Sequence, residues 1–516
     1  MSSDATTLPL RDAPAQPRKR TGRLTGPEGG AVATRRAVLP AKIALGAIVV
    51  LSLLLVLMAA NRPSGLSPTT HANYFPGWMA GPLGGLWPSL TSNGTTLRYL
   101  FTGGLVAMYL AYLVLLRHLD GVPARWVIGT ILAAHAIFFL APPLALTDVF
   151  NYINYGRMEV LYHLNPYTTI PILEPHSDPG FLLSNWHELL SPYGPLFTLL
   201  TFAVVPLGVA GSFWALKALL ALASLATIAL VWRCARMLGR NELAAIALVG
   251  LNPIVLVWGL GGDHNDFLML LCIVGGGCLL LIAREREAAR AATAAGLPRW
   301  RSWLLPLAPE AIAGGAAFVT AAAFKASAAI LIPVVLAAML RSRRRTLVQA
   351  LIGMVLAGAI LGAASLLAFG LHIPDLSTQS RLVTSESVPN LIGLAIGAGG
   401  ETHTLHTIMS AVLVLAVIAC CVQAFRRRDP ITACGWASVA LLVTLSWVLP
   451  WYVLWVLPFA ALSTSRRLRT ATIVLGVYLI IAWAPASGLL WNAIGFHPER
   501  TTLGRLHHRW VQELLY

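Results

Sequence analysis

Apolar runs of about 17 to 25 residues, the length that crosses a hydrocarbon layer, recur along most of the chain between short polar turns. They fall at about 41–60, 97–116, 126–146, 211–237, 243–260, 266–283, 304–323, 326–340, 347–370, 405–425, 430–448, 450–462 and 471–487. That predicts about thirteen spans, with ordinary boundary error. The apolar stretch 194–209 is shorter and is expected to be re-entrant or confined to one leaflet. Phe181, Leu182, Trp186, Leu189 and Leu190 have the spacing of an amphipathic helix lying in the interface. Asp148 to His163 suits a short helix, stopped by Asn165-Pro166.

The expected fold is an all-α polytopic membrane bundle with short amphipathic helices on its outer face and no soluble domain. Residues 1–38 are rich in Pro, Arg, Thr and Gly, lack an apolar period, and read as a disordered cytoplasmic tail. Residues 39–488 form the transmembrane domain. Residues 489–516 are a C-terminal segment, interfacial or extracytoplasmic. Charged residues make up only 11% of the chain, against roughly 25% in soluble domains. The six cysteines lie in or beside apolar spans without metal-ligand spacing and read as small apolar filler.

Charge orients the bundle. With the N-terminus inside, 28 of the 37 Lys+Arg fall in the tail and inner loops, as the positive-inside rule requires. The net charge of +16 therefore needs no nucleic-acid partner. Twelve of the 21 Asp+Glu fall on the outer side, two of them only if the C-terminus is external, so a functional site is expected there.

Three outer segments and one interrupted span hold the candidate chemistry. Asp148 opens the segment 147–195, where an ionisable group at a span end is a functional hypothesis by default. It serves equally well as a helix N-cap. Asp263-His264-Asn265-Asp266 sits at the outer junction of two spans and also suits a capping turn. The third segment, 371–404, carries Gln379, Arg381 and Glu386. Lys325 breaks the apolar pair 304–340 and needs an anionic partner, water or a snorkelling route. Arg157, Arg381 and Lys325 are cations suited to phosphate oxygens.

At these residues the chain resembles a known family. Asp148, Tyr152, Gly156-Arg157 and Asn165-Pro166-Tyr167 are similar to the first catalytic loop of GT-C glycosyltransferases. A longer ordered set resembles actinobacterial polyprenol-phosphate-mannose-dependent α-1,6-mannosyltransferases of the lipomannan pathway. It comprises Ser191-Pro-Tyr193-Gly-Pro195, Asn252-Pro253 leading to Asp266, Phe324-Lys325, Ser387-Val-Pro-Asn390 and Pro450-Trp451-Tyr452 with Trp455. The resemblance implies a GT-C bundle that moves mannose from a polyprenyl-phosphate donor to a lipid-linked saccharide at the outer face of the cell membrane, with inversion. It implies Asp148 as the base, and Lys325, Arg157, His264 and Arg381 around the donor phosphate. Tyr152, Asn165, Tyr167, Tyr193, Asp263, Asn265 and Asp266 would position sugars or loops. Asp148 has no adjacent acid, so no metal site or cofactor is assigned, and divalent-cation dependence stays open. Two alternatives remain: a transferase for another polyprenyl-phosphate sugar, or a transporter of lipid-linked sugar. No internal repeat of the transporter kind is visible.

Overall fold

A computed structural model describes residues 27–60, 66, 76–87, 94–144, 148–293, 308–340, 344–427 and 429–515. Among these residues the secondary structure is helical and no strand occurs. Six helices are long and apolar enough to cross a membrane, or seven if the bent pair Arg466–Trp483 and Ser487–Ala493, at 76° to one another, counts as one. The chain is a membrane protein built on these apolar helices.

The number of long helices is below the thirteen expected, and the reason lies in particular breaks. Expected span 243–260 is a helix Glu242–Gly250 followed, after Asn252-Pro253, by a π-turn Val255–Leu260. The Asn252 side chain accepts from the amide of Ile254 and caps that second piece. Expected span 450–462 is a 3-10 turn Pro450–Trp455 and a short helix Leu457–Leu462. Residues 450–458 are buried throughout, so this segment is core rather than lipid-facing wall. Hydropathy reports burial in an apolar medium; it does not distinguish lipid from neighbouring helices.

Other expectations also meet the backbone. The amphipathic helix expected over 180–190 is a single turn, Pro179–Leu183, N-capped by Asp178. It stops there because Asn151 Oδ1 accepts from the amides of Asn185 and Trp186 and pulls the chain away from helical geometry. The short stretch 194–209 holds a helix of its own, Pro195–Val204, before the long helix Gly208–Met237. The first helix runs Pro27–Ala59 and so begins inside the segment read as tail; residues 1–26 lie outside the described residues.

The helix Pro309–Phe324 is the spine of the site half. It packs on Asp266–Thr293 and on Arg344–Phe369. The second approach is so close that a Cβ on Gly353 would meet the backbone carbonyl of Ile312. Small residues at such crossings let backbones touch, which is how helices associate without a hydrophobic driving force between them. Asp266 begins its helix and Arg284 lies 18 residues further along it. At 1.5 Å per residue they are about 27 Å apart, close to a bilayer core. Arg284 and the acidic Asp266 therefore lie towards opposite ends of this helix.

Filling the Gly353 contact should separate these helices. Gly353→Leu is expected to destabilise the detergent-solubilised protein by at least the roughly 1–3 kcal/mol typical of overpacking. A thermal melt unchanged from wild type would contradict this packing.

Candidate active site

A cavity of about 270 Å³ opens on the acidic face, and Asp148 and Lys325 both line it. Residues far apart in sequence meet here: Tyr152 and Tyr193 from the first outer segment, Gln379 from the third, and Trp451 and Trp455 from the buried 450–455 turn.

Lys325 is placed by a break in the helix. It has extended backbone, φ −153° and ψ 121°, between Pro309–Phe324 and the 3-10 turn Ala326–Ile330. The turn Ser191–Pro195 packs on this break so tightly that a Cβ on Gly194 would run into the carbonyl of Ala323. Asp266, fully buried, accepts from Lys325 Nζ at both carboxylate oxygens, 3.0 and 2.8 Å away. Trp455 Nε1 donates to the same Oδ1 at 2.5 Å. The ammonium lies 4.9 Å from the Tyr452 ring centroid and 5.4 Å from that of Trp455. An anion and two aromatic faces thus offset its desolvation. The Lys325 side chain remains 23% exposed, and an ammonium has three donors, so one N–H is left for a ligand oxygen.

Asp148 is the first residue of the helix Asp148–Tyr162, where the helix dipole favours a carboxylate. Its Oδ2 lies 3.4 Å from Nδ1 of buried His264, whose ring stacks on Trp451 with centroids 3.5 Å apart. Among the described residues neither His264 nitrogen has a hydrogen-bond partner, and neither does the buried side-chain amide of Asn265. Unpaired buried polar atoms are uncommon and cluster where a ligand or water completes them.

Several of the other expected residues do not line this cavity. Arg157 is not brought to the cavity: its guanidinium is committed to Asp178 by two hydrogen bonds of 2.8 and 2.7 Å. Tyr162 donates to the same carboxylate. Burial alone would raise Asp178, but hydrogen bonds from Arg157, Tyr162 and the Gly180 amide hold its pKa below the usual value. Arg381 also faces elsewhere, into a neighbouring cavity beside Trp510. Asn165 donates to Phe369 O, and Tyr167 donates to Tyr193 O, so both brace the loop. Asp263, at φ 56°, forms a fully buried pair with Lys217 at 3.2 Å. Asp266, expected to position sugars or loops, holds Lys325. Asn151, Asn154, Glu174 and Asp178 were absent from the site expected by sequence. Their only signal there was unusual polarity between apolar segments. The aromatic turn 451–455 entered only through the family resemblance.

A family model described as the N-terminal domain of alpha-(1->6)-mannopyranosyltransferase matches residues 43–341, more than half of the chain. The chain belongs to the alpha-(1->6)-mannopyranosyltransferase family. A second model, described as the MptB C-terminal domain, matches residues 385–496 of this family member. Its relatives include alpha-(1->6)-mannopyranosyltransferase A of Mycobacterium tuberculosis, 27% identical over 68% of this chain and 69% of that protein. A probable alpha-(1->6)-mannopyranosyltransferase of Mycolicibacterium smegmatis is 27% identical over 75% of this chain and 74% of its own. The Corynebacterium glutamicum alpha-(1->6)-mannopyranosyltransferase A is 25% identical, over 63% and 68% respectively. No solved structure matches this family member. It is a glycosyltransferase enzyme of the membrane.

The loop that carries Asp148 contains a pH-sensitive carboxyl. Burial pushes Glu174 up to about 8, although Asn154 donates to it at 2.6 Å. A carboxyl raised above its unfolded value of about 4.3 binds more protons when folded. Its contribution to stability therefore falls as pH rises from about 4.3 towards 8. Glu174→Gln should flatten the pH dependence of the thermal midpoint in this window and raise the midpoint at pH 8 and above. Parallel wild-type and variant profiles would show that Glu174 ionises normally.

Proposed function

We propose that this family member transfers mannose from a polyprenyl-phosphate-mannose donor to a lipid-linked mannosaccharide at the extracytoplasmic face, with inversion and an α-1,6 linkage. The observation that carries the reading is the single cavity lined by a carboxylate, Asp148, and a lysine, Lys325. The acceptor hydroxyl loses its proton to Asp148 as its oxygen bonds the anomeric carbon. The bond from that carbon to the phosphate oxygen breaks, and its electron pair leaves with the phosphate. Charge grows on that phosphate in the transition state, where the free N–H of Lys325 meets it. A polyprenyl phosphate leaves without a general acid, and one displacement needs no enzyme nucleophile. A single carboxylate therefore suffices.

His264 lies 3.4 Å from Asp148 and does not line the cavity. In this reading it holds the carboxylate in place and is not a phosphate ligand. Tyr152 and Tyr193, which line the cavity, contact the sugars. Residual negative charge on the donor phosphate is shared with solvent, since Arg157 and Arg381 are engaged elsewhere. The distribution of basic residues among the loops supports a cytoplasmic N-terminus.

Asp148→Asn keeps size and capping ability, so it separates base from N-cap. Membranes given radiolabelled polyprenyl-phosphate mannose and an oligomannoside should lose about 10²–10⁴ in rate with this variant. Donor binding should persist. Wild-type turnover by the variant would remove Asp148 from the chemistry. Lys325→Ala should raise the donor KM and lower kcat, but it also strands a buried Asp266, at a cost of about 3–5 kcal/mol. Lys325→Arg retains the charge and controls for that loss; equal kinetics in folded Ala and Arg variants would exclude a phosphate role. Orientation is read separately. Exposed Ser177→Cys should react with a membrane-impermeant thiol reagent in intact cells, above the parent background, and exposed Glu285→Cys only after lysis. The reverse pattern would place the cavity on the cytoplasmic side.

A further inference from the structure

A second cavity, of about 560 Å³, lies beside the first on the same face, and Ser380 lines both. One wall is the C-terminal helix Thr502–Leu515, the other the start of the helix His403–Arg427. The C-terminal helix is seated from its far end. Leu514 is buried against Leu189 and Leu382, with Trp447 packed on them, and Leu514 O accepts from the Glu188 amide at 3.1 Å. Leu189, Leu382 and Trp447 also line the first cavity. The helix therefore braces the wall of one cavity and supplies Trp510 and Arg509 to the other.

The lining has a mixed chemistry. Trp510 presents its ring to the Arg381 guanidinium, 5.8 Å from the centroid. Glu401 is buried; its Oε1 accepts from Ser446 Oγ at 2.6 Å and lies 3.2 Å from His406 Nδ1. Its Oε2 has no hydrogen-bond partner among the described residues. A buried carboxylate oxygen without a donor calls for one, and a hydroxyl-rich ligand supplies donors. Glu401 and Glu513 oppose an anionic ligand here, despite the arginines. An aromatic face, a carboxylate acceptor and guanidinium donors together match a neutral saccharide, which has apolar ring faces and many hydroxyls.

We propose that this cavity is an acceptor-chain subsite. It holds the mannosyl units that precede the reacting one, and the chain passes Ser380 to present its terminal hydroxyl to Asp148. The proposal rests on the mannosyltransferase reading above, so its test needs two readouts.

Full-length protein in lipid nanodiscs is given saturating polyprenyl-phosphate mannose and alkyl-linked α-1,6-mannosides of one to four units. Binding of the four-unit acceptor is measured separately without donor. The wild-type acceptor KM should fall with length. In Trp510→Ala that advantage should be lost, with a rise of about five- to tenfold for the longest acceptor, the worth of one aromatic contact. The one-unit acceptor should change much less. Trp510→Phe keeps a ring and should recover most of the effect, which a mere loss of helix seating would not allow. Transfer with a KM independent of length, or an equal loss at all lengths in Trp510→Ala, overturns the subsite while leaving the transferase reading intact. Absence of transfer with any acceptor, together with saccharide binding that Trp510→Ala abolishes, supports the subsite and overturns the transferase reading instead.

Discussion

The pair between buried Asp266 and part-exposed Lys325 joins the parts on which the site depends. Asp266 opens one long helix, Lys325 interrupts a hairpin, and Trp455 reaches the same carboxylate from a third segment. Three pieces of backbone are tied at one point by charge-assisted hydrogen bonds inside an apolar bundle. Removing Lys325 strands the buried Asp266 carboxylate, so the geometry is held more firmly than the modest net energy of an ion pair suggests. The pair also fixes where a single free ammonium N–H points, and with it one side of the cavity.

The other side is built from a loop that makes its own framework. The helix Asp148–Tyr162 ends at His163, in the left-handed region at φ 55°, where Leu164 N donates back to Met158 O. Its inward face is polar for structural reasons: Asn151 ties the 185–186 backbone, Asn154 meets Glu174, and Arg157 meets Asp178. These bonds satisfy buried groups within the loop, and their cost is recovered by pinning a long non-helical segment over the cavity. Asp148 stands at the start of that helix, outside this network. It lies 3.4 Å from His264 and lines the cavity.

The sequence determined the class of the protein and singled out two residues that meet at one cavity. Charge-poor apolar runs dictate a helical membrane bundle, because backbone polar groups in lipid must pair within the segment. A carboxylate at a span end and a lysine inside an apolar run are costly wherever they lie. Both stood out before any contact was known, and both line one cavity. Tertiary structure decided which charges were already spent. Arg157 and Lys325 look alike as outer cations in the sequence, yet one is consumed by Asp178 on its own loop and the other retains a face towards the cavity. Asp263 and Asp266 differ by three positions, and only packing sends one to Lys217 and the other to Lys325. The broken helices at Asn252-Pro253 and at 450–455 were hidden for a related reason: hydropathy is a property of each residue, whereas burial, pairing and unsatisfied polar atoms belong to residues brought together across hundreds of positions.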